Sequence, residues 1–144
     1  GLNLNKSFVL PAGTYQYENS VECSLCPMGS YSVTPGSTSC TLCTPGTSSN
    51  NIGSNWNSCT PCPVGTYTSI QGASQCSFCS SGTVSYHGSS GCIPCPPGFY
   101  SLFGQDCQVC WPGSYSLSGS STCMQCDEGE YSNSGASKCD TCIT

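Results

Sequence analysis

The residues with chemistry to offer are almost all cysteines. Sixteen of the 144 residues are Cys, arranged as eight C-x-x-C pairs: Cys23/Cys26, Cys40/Cys43, Cys59/Cys62, Cys76/Cys79, Cys92/Cys95, Cys107/Cys110, Cys123/Cys126 and Cys139/Cys142. Three chemistries use such pairs. A redox dithiol is one, but that motif occurs once, on a βαβ unit, rather than eight times in series. A four-cysteine zinc site is the second, because two C-x-x-C pairs roughly 15 residues apart have its ligand spacing. Against zinc, the residue after the second Cys is Pro27, Pro63 or Pro96 in three units. Proline has no N–H to stabilise a thiolate there. Structural disulfides are the third chemistry. A chain with 16 Cys, two basic residues and abundant Ser, Thr and Gly reads as secreted, where thiols oxidise. All sixteen cysteines are therefore expected in disulfides, with no metal and no cofactor.

The remaining candidates are few. His87 is the single histidine, and Lys6 and Lys138 are the only strong bases. A nucleophile–histidine–acid triad needs a histidine held by a buried acid. His87 lies between Tyr86 and Gly88 in turn-forming sequence, so it reads as solvated and no enzyme activity is expected. Asp127, Glu128 and Glu130 cluster, with Asp140 one unit on. Calcium takes such oxygens, but neither an EF-hand nor a calcium-binding EGF pattern is present, so this is expected to be a solvated acidic face. Asn5-Lys6-Ser7 is the standard N-glycosylation sequon, making Asn5 the candidate glycan site. The many Ser and Thr residues offer further sites for O-linked sugars.

What must position the cysteines is a repeat. A glycine follows the second Cys by three residues in seven units: Gly29, Gly46, Gly65, Gly82, Gly98, Gly113 and Gly129. Two residues later stands Tyr31, Tyr67, Tyr100, Tyr115 or Tyr131, with Ser48 and Val84 as the exceptions. A further glycine precedes most pairs. Each unit is too short to bury a face alone, so neighbours must be stapled and stacked. Gly-[Ser/Thr]-Tyr-Ser reads as a short strand after a tight turn. Ser, Thr, Gly and Pro make up 68 of the 144 residues, which suits turns and disfavours long helices. The expected fold is small and disulfide-rich: short β-hairpins and turns in an elongated tandem-repeat rod with negligible helix. The tyrosines suggest a stacking platform for sugars. Their fixed register is better explained by packing over the disulfides, because a binding site requires irregularity somewhere.

Two regions are expected: an N-terminal strand with an atypical capping unit over 1–22, and tandem repeats of about 16 residues over 23–144. Leu2, Leu4, Phe8 and Leu10 follow a period of two, as in a strand with one buried face. Pro11-Ala12-Gly13-Thr14-Tyr15 repeats the unit motif with Leu10 where a cysteine is expected. The chain opens at Gly1 and reads as a mature segment or part of something longer. Two connectivities suit the spacing. One bridges pairs two by two, as Cys23–Cys40 with Cys26–Cys43. The other closes each unit, as Cys26–Cys40 and Cys43–Cys59, and leaves Cys23 and Cys142 single. An unpaired secreted thiol is a liability, so the first is expected.

The string Cys62-Pro63-Val64-Gly65-Thr66-Tyr67-Thr68, continued by Gly72-x-x-x-Cys76-x-x-Cys79, resembles the ephrin-receptor-like cysteine-rich repeat, similar in style to tumour-necrosis-factor-receptor and EGF-like modules. The resemblance implies an extracellular or cell-surface array of extended repeats. Charge agrees, since a net −5 with two lysines excludes nucleic-acid binding, which needs basic residues to neutralise phosphates. No apolar run approaches the roughly 18–20 residues of a membrane span. The expected function is that of a rigid, glycosylated spacer or filament subunit, joined end to end with itself or neighbouring extracellular domains. The alternative is a receptor or adhesion ectodomain that binds a protein ligand, with Trp56, Phe103 and Trp111 as its irregular exposed aromatics.

Overall fold

The computed structural model describes residues 9–18 and 20–143. The expected strand over Leu2–Leu10 and the sequon at Asn5 fall largely outside these residues. Of that strand, exposed Val9 and buried Leu10 are described.

Among the described residues there is no helix. Sixteen two-residue strands form eight antiparallel hairpins. Thr14–Tyr15 pairs with Ser24–Leu25, Ser30–Tyr31 with Thr41–Leu42, and Thr47–Ser48 with Thr60–Pro61. The same pattern runs to Glu130–Tyr131 against Asp140–Thr141. One strand of each hairpin is the two residues after the repeat glycine. These complete the expected Gly-[Ser/Thr]-Tyr in four hairpins and are Thr47–Ser48, Thr83–Val84, Phe99–Tyr100 and Glu130–Tyr131 in the others. The other is the pair of residues between the two cysteines of the next C-x-x-C, so each hairpin crosses from one unit into the next.

This placement decides the disulfides. Side chains alternate faces along a strand. Cysteines three residues apart across a strand therefore point to opposite sides: one back to the preceding unit, one forward to the following unit. The bridges are Cys26–Cys40, Cys43–Cys59, Cys62–Cys76, Cys79–Cys92, Cys95–Cys107, Cys110–Cys123 and Cys126–Cys139. The two-by-two scheme is thus replaced by the unit-closing one. Cys23 and Cys142, expected in bridges, are unbonded and exposed.

The core is a narrow column of sulfur and hydroxyl groups. The second cysteine of each pair is buried at Cys26, Cys43, Cys62, Cys79, Cys95 and Cys110. Beside them runs a second buried line, the residue after the tyrosine position: Ser32, Ser49, Thr68, Ser85, Ser101, Ser116 and Ser132. A buried hydroxyl is costly unless hydrogen-bonded. Here Ser85 donates to the Thr66 carbonyl (2.8 Å), Ser116 to Phe99 (2.9 Å) and Ser132 to Ser114 (2.8 Å), each in the preceding unit. Among the described residues no buried side-chain polar atom lacks a partner. The chain exposes 9424 Å², against about 7,000 Å² for a compact monomer of its mass. An array in which units meet only their near neighbours in sequence exposes such an excess.

Candidate functional site

The feature repeated most faithfully is the joint between units. Four backbone hydrogen bonds make it. Between units one and two, the Gly29 amide donates to Ser49 (2.7 Å), Cys43 to Gly29 (2.8 Å), Ser32 to Ser54 (3.0 Å) and Gly53 to Cys26 (2.7 Å). One unit on, the equivalents are Gly46 to Thr68, Cys62 to Gly46, Ser49 to Ala73 and Gly72 to Cys43, at 2.8–3.1 Å. A turn hydroxyl locks the first strand of six of the eight hairpins, as where Ser30 donates to the Pro27 carbonyl (2.8 Å) and Thr66 to Pro63 (2.7 Å). One disulfide then staples each joint.

A third contact reaches two units along. Gly29 has φ of +80°, and a Cβ there would be driven into the backbone carbonyl of Gly72. Both the left-handed turn and the close backbone approach require glycine. The joint therefore fixes neighbours at n+1 by hydrogen bonds and at n+2 by contact.

The N-terminal unit keeps this design without its bridge. Thr14–Tyr15 forms its hairpin, and the Gly36 amide donates to Leu10 (2.8 Å) as Gly53 does to Cys26. Leu10 fills the position of a buried half-cystine with hydrocarbon. Cys23, the cysteine that would have faced it, is left in solvent.

The tyrosines are half-buried at Tyr31, Tyr67, Tyr100 and Tyr115, and Tyr31 borders the same hollow as Cys43 and Cys59. His87 is exposed, as are Asp127, Glu128, Glu130 and Asp140. Lys138 meets Asp140 at 3.8 Å on the surface, where such a pair adds little. Among the described residues, no three His, Cys, Asp or Glu side chains are grouped to hold a metal ion. The structure thus assembles the cysteines into joints and leaves the other titratable candidates dispersed. Sequence reading missed the buried serine line, although its signal, Ser or Thr after the tyrosine position in all seven units that follow the N-terminal one, was present.

Residues 13–58 and 52–90 match the family described as tyrosine-protein kinase ephrin type A/B receptor-like. The chain belongs to the ephrin-receptor-like family. The matched segments cover more than half of the chain, and the same hairpin, bridge and glycine geometry continues beyond them to Cys139. No curated protein matches the sequence. The ephrin-receptor-like repeat is a cysteine-rich module, not an enzyme type, and it is compatible with an extracellular setting. Among the described residues no helix is long and apolar enough to cross a membrane.

Proposed function

We propose that this ephrin-receptor-like array is an extracellular structural protein, a rigid stapled rod acting as a spacer or as a filament or surface-fibre subunit. The observation that carries this reading is the repetition of one joint. The same backbone hydrogen bonds and one disulfide recur from unit to unit. All four bonds are present except between the Cys79 and Cys95 units, where the Gly104 amide turns to the Ser101 hydroxyl. Such nearest-neighbour terms sum along a quasi-one-dimensional array. Glycans on Asn5 and on exposed Ser and Thr would keep such a thin core soluble. A filament role would use end-to-end contacts, which grow without closing when they are heterologous.

A receptor or adhesion ectodomain is the second reading. Trp56, Phe103 and Trp111 favour it, at 57%, 81% and 53% exposed, because exposed aromatics are typical anchors of a protein interface. Electron microscopy and sedimentation of the oxidised chain, intact and lacking residues 1–10, separate the readings. Straight particles of constant width support the rod, and end-to-end polymers lost on truncation support the filament. Bent particles with freely jointed units would overturn both structural roles.

A further inference from the structure

One irregularity of the repeat borders an open groove. In unit two the tyrosine position is Ser48. Its hydroxyl lies 3.3 Å from the Cys76 sulfur, in the place where a ring stands one unit earlier. The hollow that Tyr31 borders is about 160 Å³. The corresponding groove at Ser48 is about 610 Å³. Clefts that hold small ligands run from roughly 300 to 1,000 Å³, so the groove at Ser48 lies inside that range and the hollow at Tyr31 below it. Val84, the other exception, is itself buried and packed into the core.

The lining has a definite chemical character. Met28, Pro63 and Phe78 supply apolar surface, and Phe78 is 85% exposed beside the groove. Asn50 and Gln75 line it too, and neither side-chain amide makes a hydrogen bond to another described residue. Ser48 and Thr60 add hydroxyls. No Asp, Glu, Lys or Arg occurs anywhere between Glu22 and Asp106, so the whole surface around the groove is uncharged. An anionic or cationic ligand would lose its hydration there and meet no countercharge. A purely apolar ligand would strand the two amides.

From this geometry we infer that the groove at Ser48 binds a neutral oligosaccharide. A sugar ring presents an apolar face of C–H groups, polarised positive, which suits the negative face of an aromatic ring such as Phe78. Its hydroxyls are both donors and acceptors, which suits primary amides able to do both at once, as at Asn50 and Gln75. The polar groups fix orientation while the open groove admits one segment of a longer chain. This site is independent of the structural role proposed above. A rod that also holds a neutral glycan would be anchored along its side rather than at its ends.

The test uses the oxidised 144-residue chain and saturation-transfer NMR with four free tetrasaccharides: cellotetraose, chitotetraose and mannotetraose as neutral probes, and hyaluronan tetrasaccharide as the anionic one. At least one neutral probe is expected to bind and the anionic probe to give no signal. Ser48→Tyr restores the ring found in five other bridged units, so the fold is retained while the groove fills, and binding should fall at least tenfold. Phe78→Ala removes an exposed side chain and should weaken binding by about tenfold. Phe103→Ala, an exposed ring on unit five, should leave it unchanged. The inference is overturned if no neutral probe binds, if only hyaluronan binds, or if Ser48→Tyr binds as the parent does. It is also overturned if sedimentation shows that Ser48→Tyr instead abolishes self-association or capture of a protein partner with no change in sugar binding.

Discussion

The contact between a unit and its second neighbour can be isolated by one pair of substitutions. Gly29 and Gly113 occupy equivalent positions with nearly equal backbone, φ +80° and +81°. Alanine at either site must adopt a left-handed conformation, costing about 1–2 kcal/mol. Part of this is offset by about 0.4–1 kcal/mol from stiffening the unfolded chain. At Gly113 that is all, because no described residue lies within 4 Å of the added Cβ, and the net loss should be about 1 kcal/mol. At Gly29 the methyl collides with the Gly72 carbonyl, which is rigid backbone. Relief costs about 1–3 kcal/mol of overpacking. It also strains the Gly72-to-Cys43 and Gly29-to-Ser49 hydrogen bonds, each worth about 1 kcal/mol. The expected total is about 3–5 kcal/mol. Because repeat arrays open locally, amide hydrogen exchange under oxidising conditions is the appropriate assay. Protection of the Gly72 amide should fall at least a hundredfold in Gly29→Ala, while Gly113→Ala should lower protection of its own amide by about fivefold. Equal losses at the two sites would show that the left-handed turn alone matters and that the contact two units along contributes nothing.

Thiol chemistry and the inner hydroxyls give two more expectations. Alkylation of the oxidised 144-residue chain without reductant should label Cys23 and Cys142 and no other cysteine, read by peptide mass spectrometry; modification at Cys40 or Cys59 would contradict the unit-closing bridges. Ser116→Ala removes a buried hydroxyl donor to the Phe99 carbonyl and should cost about 1–2 kcal/mol in guanidinium unfolding, whereas Ser118→Ala, which lies outside this line, should be neutral within error.

Much of the joint is legible in residue types and spacing alone. Cys and Gly keep register because each does one fixed thing: the first staples and the second makes the left-handed turn. The glycine and tyrosine positions therefore announce the hairpin. What misleads is the disulfide connectivity. Counting thiols favours bridging pairs two by two, since this leaves none over. The geometric fact that overrides the count is that the residues between paired cysteines, such as Thr41–Leu42, are themselves a strand. With only two such residues, no alternation of polar and apolar types is visible, so the strand has no sequence signature of its own. Leu10 shows the same limit: it marks a lost bridge in the register, but only packing shows that hydrocarbon replaces the missing sulfur. The serine line is hidden by abundance. With serine everywhere on the surface, seven inward-facing hydroxyls do not stand out by composition.

The unit-closing bridges also fix how the chain would behave under tension. From Cys26 to Cys139 a covalent shortcut runs through each bridge and then across the short C-x-x-C segment to the next, so the loops between are slack that a pulling force never reaches. With bridged Cα atoms 5.5–5.9 Å apart and three peptide steps per segment, this stretch can be drawn out to about 100 Å before covalent bonds must yield. The reduced chain over the same residues could reach nearly 400 Å. Oxidation therefore makes the array a tether of nearly fixed maximum length, a mechanical property that neither the hydrogen bonds nor the sparse apolar core could confer.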